Sequence, residues 1–554
     1  MGRRVALLTV ALLALLTASA GAKRLVGTPH ADVLRGTAGS DVLDGRGGAD
    51  LLDGRGGRDR LLGAAGADRL EAFDGVRDRL DCGDGADLAV ADGSDRVASD
   101  CEVVSRQVSR DALVGGPGQH ATEVEPHAGA HGSTVVAVFQ VGRIEDGGAM
   151  AIGWATSRDG GRAWRSGLLP GLTTSSRGQR LRVGAAGTSQ AAAWHAAGTR
   201  SGDGASLAPP FTRASDPVVA YDAQHGVWLA TTLALSAEKS ALAVSRSVDG
   251  LSWTSPVIAD STTGPLAYDK EWIACDSWPA SRFRGRCYLG YSDLVGDRIA
   301  TRVSTDGGAS WSVPVSPPGN AGQAAIEGRY APGVQPVVSP DGDVVIVYYD
   351  EGRLAAVRST DGGATYSLPA AIGPASFAES PALRAAPLPT AAVDAAGTVY
   401  AAWADCRARP GCRANDIVLS RSSDGVSWTA PERVAIGSGG DRLFPALAAD
   451  EATPGHIALT YYVRIGGRLG VRLATSADGG SRWSRPVRLD AEPARFSWLA
   501  DAGGAMVGDY VATALSSGRS VAVFSLAAAP AGRLNQGIFA AAVPLAGDEE
   551  LVSK

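Results

Sequence analysis

The sequence predicts an all-β protein in two parts: a short region timed by a nine-residue repeat, then a long region of four-stranded antiparallel modules set radially. Three observations carry this. Glycine recurs at positions 27, 36, 45, 54 and 63, and aspartate keeps the same time at 32, 41, 50, 59 and 68. The phrase STDGGASW, Ser304 to Trp311, returns in close copies five more times. The chain has 554 residues, too many for one ordinary core, and its 72 glycines against 9 phenylalanines argue for many short turns over long helices.

The first element is the leader. Two arginines at 3 and 4 precede an apolar run from Val5 to about Ala18 and small residues at Ala18, Ala20 and Ala22. Residues 1–22 therefore read as a secretory signal, and the run is shorter than the roughly 20 residues that span a bilayer. Export to an oxidising compartment makes the six cysteines legible. Neighbour pairing, one of the 15 connectivities six cysteines allow, gives Cys82 with Cys101, Cys275 with Cys287 and Cys406 with Cys412. The net charge of −6 offers no basic field for nucleic acid or an anionic membrane.

Residues 23–105 hold the nine-residue clock, as in GTPHADVLR and GTAGSDVLD, with leucine at 34, 43, 52, 61 and 70. A disordered linker has no reason to hold leucine to that period. The pattern resembles the RTX nonapeptide, GGxGxDxLx. That resemblance implies a parallel β-roll in which two repeats make one coil, aspartates 18 residues apart become neighbours, and Ca2+ lies between them. The implied ligands are Asp32, Asp41, Asp50, Asp59 and Asp68, paired 32 with 50, 41 with 59 and 50 with 68. Carboxylates and turn carbonyls are the hard oxygens calcium takes. The second glycine of each repeat is replaced by Thr, Arg or Ala, and past Asp68 the period slips by one, to Asp78 and Asp87.

After a linker at 106–114, residues 115–545 carry the six phrases, beginning at Ser157, Ser247, Ser304, Ser359, Ser422 and Ser476, with a tail at 546–554. Each follows an alternating run and precedes a short proline-containing strand, so it reads as a hairpin turn. Its aspartate caps backbone amides, its glycine supplies positive φ and its aromatic packs into the layer below. Successive turn aspartates lie 90, 57, 55, 63 and 54 residues apart, room for about four strands. Such modules set radially make a β-propeller of six or seven blades. A last module, GDYVATAL to GIFAAAVPL, lacks the phrase and needs a strand from the N-terminal side to close the ring.

The phrase matches the Asp-box, SxDxGxxW, and with the module spacing it is similar to the sialidase (neuraminidase, BNR repeat) superfamily. The turn itself is not expected to be catalytic. Topology puts the loops between second and third strands, and the links from one module to the next, on the opposite face. That face carries Glu123, Glu125, Arg143, Asp216, Asp269, Glu271, Asp293, Arg329, Tyr330, Arg353, Arg407, Arg442, Arg464, Asp509 and Tyr510. The resemblance implies three arginines on the substrate carboxylate, for which a planar fork is suited, a tyrosine nucleophile assisted by glutamate, and an aspartate acid/base. Carried over, these are Arg143, Arg353 and Arg407, then Tyr510, Glu271 and Asp293. No Arg-Ile-Pro motif precedes the first phrase. Two readings stay open: a secreted, calcium-stabilised hydrolase of exo-α-sialidase type acting on sialylated or other acidic glycans, and a secreted propeller that binds glycan or protein without cleaving it.

Overall fold

The computed structural model describes residues 21–176, 211–319, 321–322, 332–380, 382–437, 439–530, 532–545 and 551–552. The leader up to Ala20, Arg329, Tyr330 and most of the tail lie outside them. The chain divides into two compact units, residues 1–102 and 103–554.

In the first unit the nine-residue timing becomes two parallel sheets. One runs Arg24–Val26, Val42–Asp44, Arg60–Ala65, Arg79–Asp84 and Arg96–Val97; the other runs Val33–Arg35, Leu51–Asp53, Arg69–Ala72 and Leu88–Ala91. Leu25 pairs with Leu43 and Leu43 with Leu61, each 18 residues on, and Leu34 pairs with Leu52 and Leu52 with Leu70. The step then lengthens to 19, Leu61 to Leu80 and Leu70 to Ala89, where the aspartates slip as well. Leu43, Leu52, Leu61 and Leu70 are fully buried between the sheets. The Cys82–Cys101 disulfide ties the last coils.

The second unit is a series of antiparallel meanders, seven among the described residues. Their first strands are Gln119–His131, Arg213–Asp222, Tyr268–Cys275, Gln335–Val338, Thr390–Val393, Asp441–Ala449 and Ala512–Ser516. Each first strand packs against the next, and the seventh returns to the first, so the seven meet in a closed circle. In the seventh meander Gln536–Pro544 pairs antiparallel with Val103–Gln107, so one strand lies across the boundary expected at residue 105. Its apolar residues pack mainly between successive meanders: Val136, Val138 and Ile152 of the first share a cluster with Trp228, Ala230 and Ala243 of the second. Cys275–Cys287 and Cys406–Cys412 are formed, each within one meander.

Five of the six phrases link third strand to fourth, the one at Ser304 leads from a third strand to a single bridge at Val315, and one bonding scheme explains their letters. In the third copy Ser304 Oγ donates to Asp306 Oδ1 at 2.9 Å and accepts from the Gly308 amide at 2.8 Å. Asp306 Oδ1 also accepts from the amides of Ala309 and Ser310, at 3.0 and 2.9 Å. Gly307 and Gly308 stand at φ 65° and 76°, a region costly for residues with a Cβ. The tryptophan folds back, Trp253 Nε1 donating to Gly250 O at 3.2 Å, and packs against the preceding meander.

Candidate functional site

The first strands of the second unit carry an unusual local geometry at the end opposite the phrases. Four of them bulge, between Val124 and His127, Ser215 and Val218, Asp269 and Trp272, and Leu443 and Ala446. Each bulge holds a non-glycine residue in the left-handed region: Glu125 at φ 56°, Asp216 at 49°, Lys270 at 50° and Phe444 at 52°. Such a conformation costs of order 1–3 kcal/mol per residue and concentrates at functional sites. Its effect here is to gather three charged residues from three neighbouring strands.

These charges form one buried network. The ammonium of Lys270, 12 % exposed, bonds to Asp509 and lies 3.4 Å from Asp216 Oδ2. Arg384, from the link between the fourth and fifth meanders, grips Asp509 bidentately at 3.1 and 2.9 Å. Glu125 accepts from the Asp509 amide at 3.1 Å and from Gln140, whose carbonyl oxygen accepts from Arg143 Nη1 at 2.9 Å. Ser215 links Gln140 to Asp216, accepting at 3.1 Å and donating at 2.7 Å. Burial alone would raise Asp509, but Lys270 and Arg384 hold it well below the usual carboxylate range. Glu125 has burial, Asp216 and Asp509 against it and is pushed up to about 8.

Tyr510 and Glu271 meet at this network. Both line one cavity of about 10 Å³ with Lys270, Trp272, Gly333, Gln335 and Leu388. A second space of about 70 Å³, also bounded by Trp272, Gln335 and Tyr510, holds His127, Thr390 and Thr513 in its wall. Trp272 orients the ring of Tyr510 edge to face at 5.2 Å. The Tyr510 hydroxyl donates to Pro217 O at 3.1 Å. Neither carboxyl oxygen of Glu271 has a hydrogen-bond partner. Burial and Asp216 raise Glu271 far above its ordinary value; burial, then Glu125, does the same for Tyr510.

The remaining expected residues lie elsewhere. Arg143 is in the network, 2 % exposed. Arg353 and Arg407 are held by their own neighbours, Asp350 at 3.0 and 2.6 Å and Asp405 at 3.0 and 2.9 Å. Asp293 caps its own turn, accepting from the amides of Val295 and Gly296 at 3.2 and 2.8 Å. Lys270 and Arg384 were not anticipated. A signal existed for the bulges: a charged or aromatic residue before proline early in a first strand, as in Glu125-Pro126, Asp216-Pro217 and Phe444-Pro445.

In the first unit the aspartates form ladders. The amide of Asp32 donates to Asp50 Oδ1, Asp41 to Asp59 and Asp50 to Asp68, at 2.7, 2.7 and 2.8 Å, and the series continues from Asp59 to Asp78 and Asp68 to Asp87. The other oxygen, Oδ2, of Asp50, Asp59, Asp68 and Asp87 is buried with no partner. A methyl group placed on Gly45 would meet Asp50 Oδ2 at 2.4 Å and Gly63 O at 2.9 Å; on Gly36, Asp41 Oδ2 at 2.8 Å and Gly54 O at 2.4 Å. Carboxylate and carbonyl oxygens thus converge on a space kept open by glycine, a donor set that fits calcium. Without a cation the arrangement is costly: burial, then Asp41, pushes Asp59 up to about 6, and burial, then Asp50, pushes Asp68 to about 6.

Comparison with known proteins bears on both units. The family model for the RTX calcium-binding nonapeptide repeat, in four copies, matches residues 26–61, so the first unit carries calcium-binding repeats. No curated protein matches the sequence. Among solved structures the chain is similar to a Hadza microbial sialidase, at 14 % identity and TM-score 0.39, over 81 % of this chain and 69 % of that one. It is similar to a PL25 polysaccharide lyase, an ulvan lyase, at 11 % and 0.42 over 78 % and 95 %, and to the Penicillium chrysogenum α-L-arabinanase at 12 % and 0.39 over 81 % and 99 %. Among the described residues no helix is long and apolar enough to cross a membrane.

Proposed function

We propose that the chain is exported and that its second unit is a seven-bladed, Asp-box β-propeller hydrolysing a terminal sialic acid or related acidic sugar. One observation carries the reading: Tyr510 and Glu271, 239 residues apart, line one cavity beside Lys270 at the centre of the strand circle. In the reaction, the ionised form of Glu271 takes the proton of Tyr510 Oη as that oxygen attacks the anomeric carbon and passes it to the departing glycosidic oxygen; water then displaces the tyrosine, restoring its hydroxyl and releasing the sugar with retained configuration. A phenol spares an anionic substrate the approach of a second carboxylate. Arg143, Arg353 and Arg407 are the arginines proposed for the substrate carboxylate, and Arg384, held on Asp509 at 3.1 and 2.9 Å, orders the network beside Tyr510.

A second reading, a propeller that binds glycan or protein without cleaving it, is favoured by a specific observation. The cavity between Tyr510 and Glu271 is about the size of one water, and burial raises both groups well above their ordinary values, against the proton transfer that hydrolysis needs. Hydrolysis of a fluorogenic sialoside by the full chain separates the two. Turnover that falls at least about a hundredfold in Tyr510→Phe and in Glu271→Gln, with melting unchanged, supports the hydrolase. No turnover by a folded protein supports binding alone.

A further inference from the structure

Two links between meanders meet beside the buried network. The link from the fourth meander to the fifth brings Leu383 into a lone parallel bridge with Ala505, which lies on the link from the sixth to the seventh. The Arg384 amide donates to Ala505 O at 3.0 Å, and the Ala505 amide donates to Ala382 O at 3.1 Å. Ala505 belongs to a small hairpin, Ala500–Asp501 paired with Ala505–Met506, turned by Gly503 and Gly504 at φ 75° and 145°. A methyl group placed on Gly504 would stand 3.2 Å from the Arg384 amide nitrogen, so the hairpin and the first link are in close contact.

The first link then runs into the site. Arg384 grips Asp509, and Leu388, four residues on, lines the cavity between Tyr510 and Glu271. Arg384 is also the solvent side of the network: its side chain is 39 % exposed, against 12 % for Lys270 and 6 % for Asp509. From Ala385 to Pro389 no backbone hydrogen bond forms among the described residues. The first strands around the cavity are held by ladders several pairs long, as where Asp441–Ala449 pairs with Ile457–Ile465. A cavity of about 10 Å³ admits one water and no sugar, so a ligand needs part of the wall to move. Segments with few backbone bonds open at the least cost.

We propose that Ala382–Leu388 is a strap that closes this cavity, with the Arg384–Asp509 pair as its latch and the hairpin at 500–506 as its catch, and that a ligand enters when the strap lifts. This rests on the reading that the Tyr510 cavity is where ligand is taken, whether for hydrolysis or for binding alone. Lifting leaves the network standing, because Asp509 keeps its bond to Lys270 when Arg384 departs. The latch is half open to water, where an ion pair holds weakly and the freed guanidinium is solvated.

The test reads access to the cavity without turnover. All six cysteines are paired, so Gln335→Cys introduces a single thiol, in the cavity wall. Its labelling by a small methanethiosulfonate reagent follows strap opening in the full chain, and hydrogen exchange at the Ala505 amide reports the same event in the chain without that substitution. Arg384→Ala is expected to speed both about tenfold or more, at an unchanged melting temperature. Gly504→Ala, which disturbs the catch and keeps both latch residues, is expected to do the same. Labelling and exchange unchanged by both variants, or faster labelling while the Ala505 amide exchanges as before, would overturn the strap. Faster labelling and exchange with no sialoside turnover would support the strap and count against the hydrolase alone.

Discussion

Glu123 shows how much a single residue here depends on its surroundings. It is 2 % exposed, its Oε2 accepts from Ser109 Oγ at 2.9 Å, its Oε1 has no partner, and burial pushes it from 4.5 to about 8. A pKa raised on folding gives a contribution fully present below the unfolded value and lost as pH rises through the folded one. Wild-type stability should therefore fall relative to Glu123→Gln between pH 4.5 and about 8, seen as a widening gap in melting temperature; a constant gap would contradict the burial account. At this scale the sequence was readable only where topology constrained it. Tyr510 and Glu271, expected from their place near first strands on the face opposite the phrases, line one cavity. Arg353 and Arg407 each pair with an aspartate two or three residues upstream, which the sequence pattern already contained. Lys270 and Arg384 carried no local sign, since their partner Asp509 lies 239 and 125 residues away.

At the scale of elements, periodicity decided what could be read. The nine-residue clock specifies both sheets of the first unit because leucine and aspartate keep one period, and even the slip to 19 was visible at Asp78. The phrase was equally legible, since its serine and aspartate bond to each other in every copy. The bulges carried a weaker sign, the residue before proline at Glu125, Asp216 and Phe444, and Lys270, followed by Glu271, lacked even that. If the phrase is structural, Trp253→Ala, which empties a site 2 % exposed, should cost about 3–5 kcal/mol in denaturant unfolding. Any activity per folded molecule should stay as it was; a loss confined to activity would give the turn a role it is denied here.

For the whole molecule, the two units have separate cores, and among the described residues only the first has the aspartate ladders. Chelation of calcium should remove a low-stability transition belonging to residues 23–102 and leave the melting of the second unit in place. Loss of both transitions would contradict that separation. Closing the strand circle requires both ends of the second unit, Val103–Gln107 beside Gln536–Pro544, a pairing the sequence called for without saying which residues supply it. The central claim is that Tyr510 is the nucleophile at the middle of this circle. It is tested most directly by incubating the full chain with a fluorinated sialosyl fluoride, which slows release of a covalent intermediate, and mapping the adduct by mass spectrometry. A single glycosyl adduct on Tyr510, absent from Tyr510→Phe, is the expected result; an adduct elsewhere, or none on a folded protein, would contradict it.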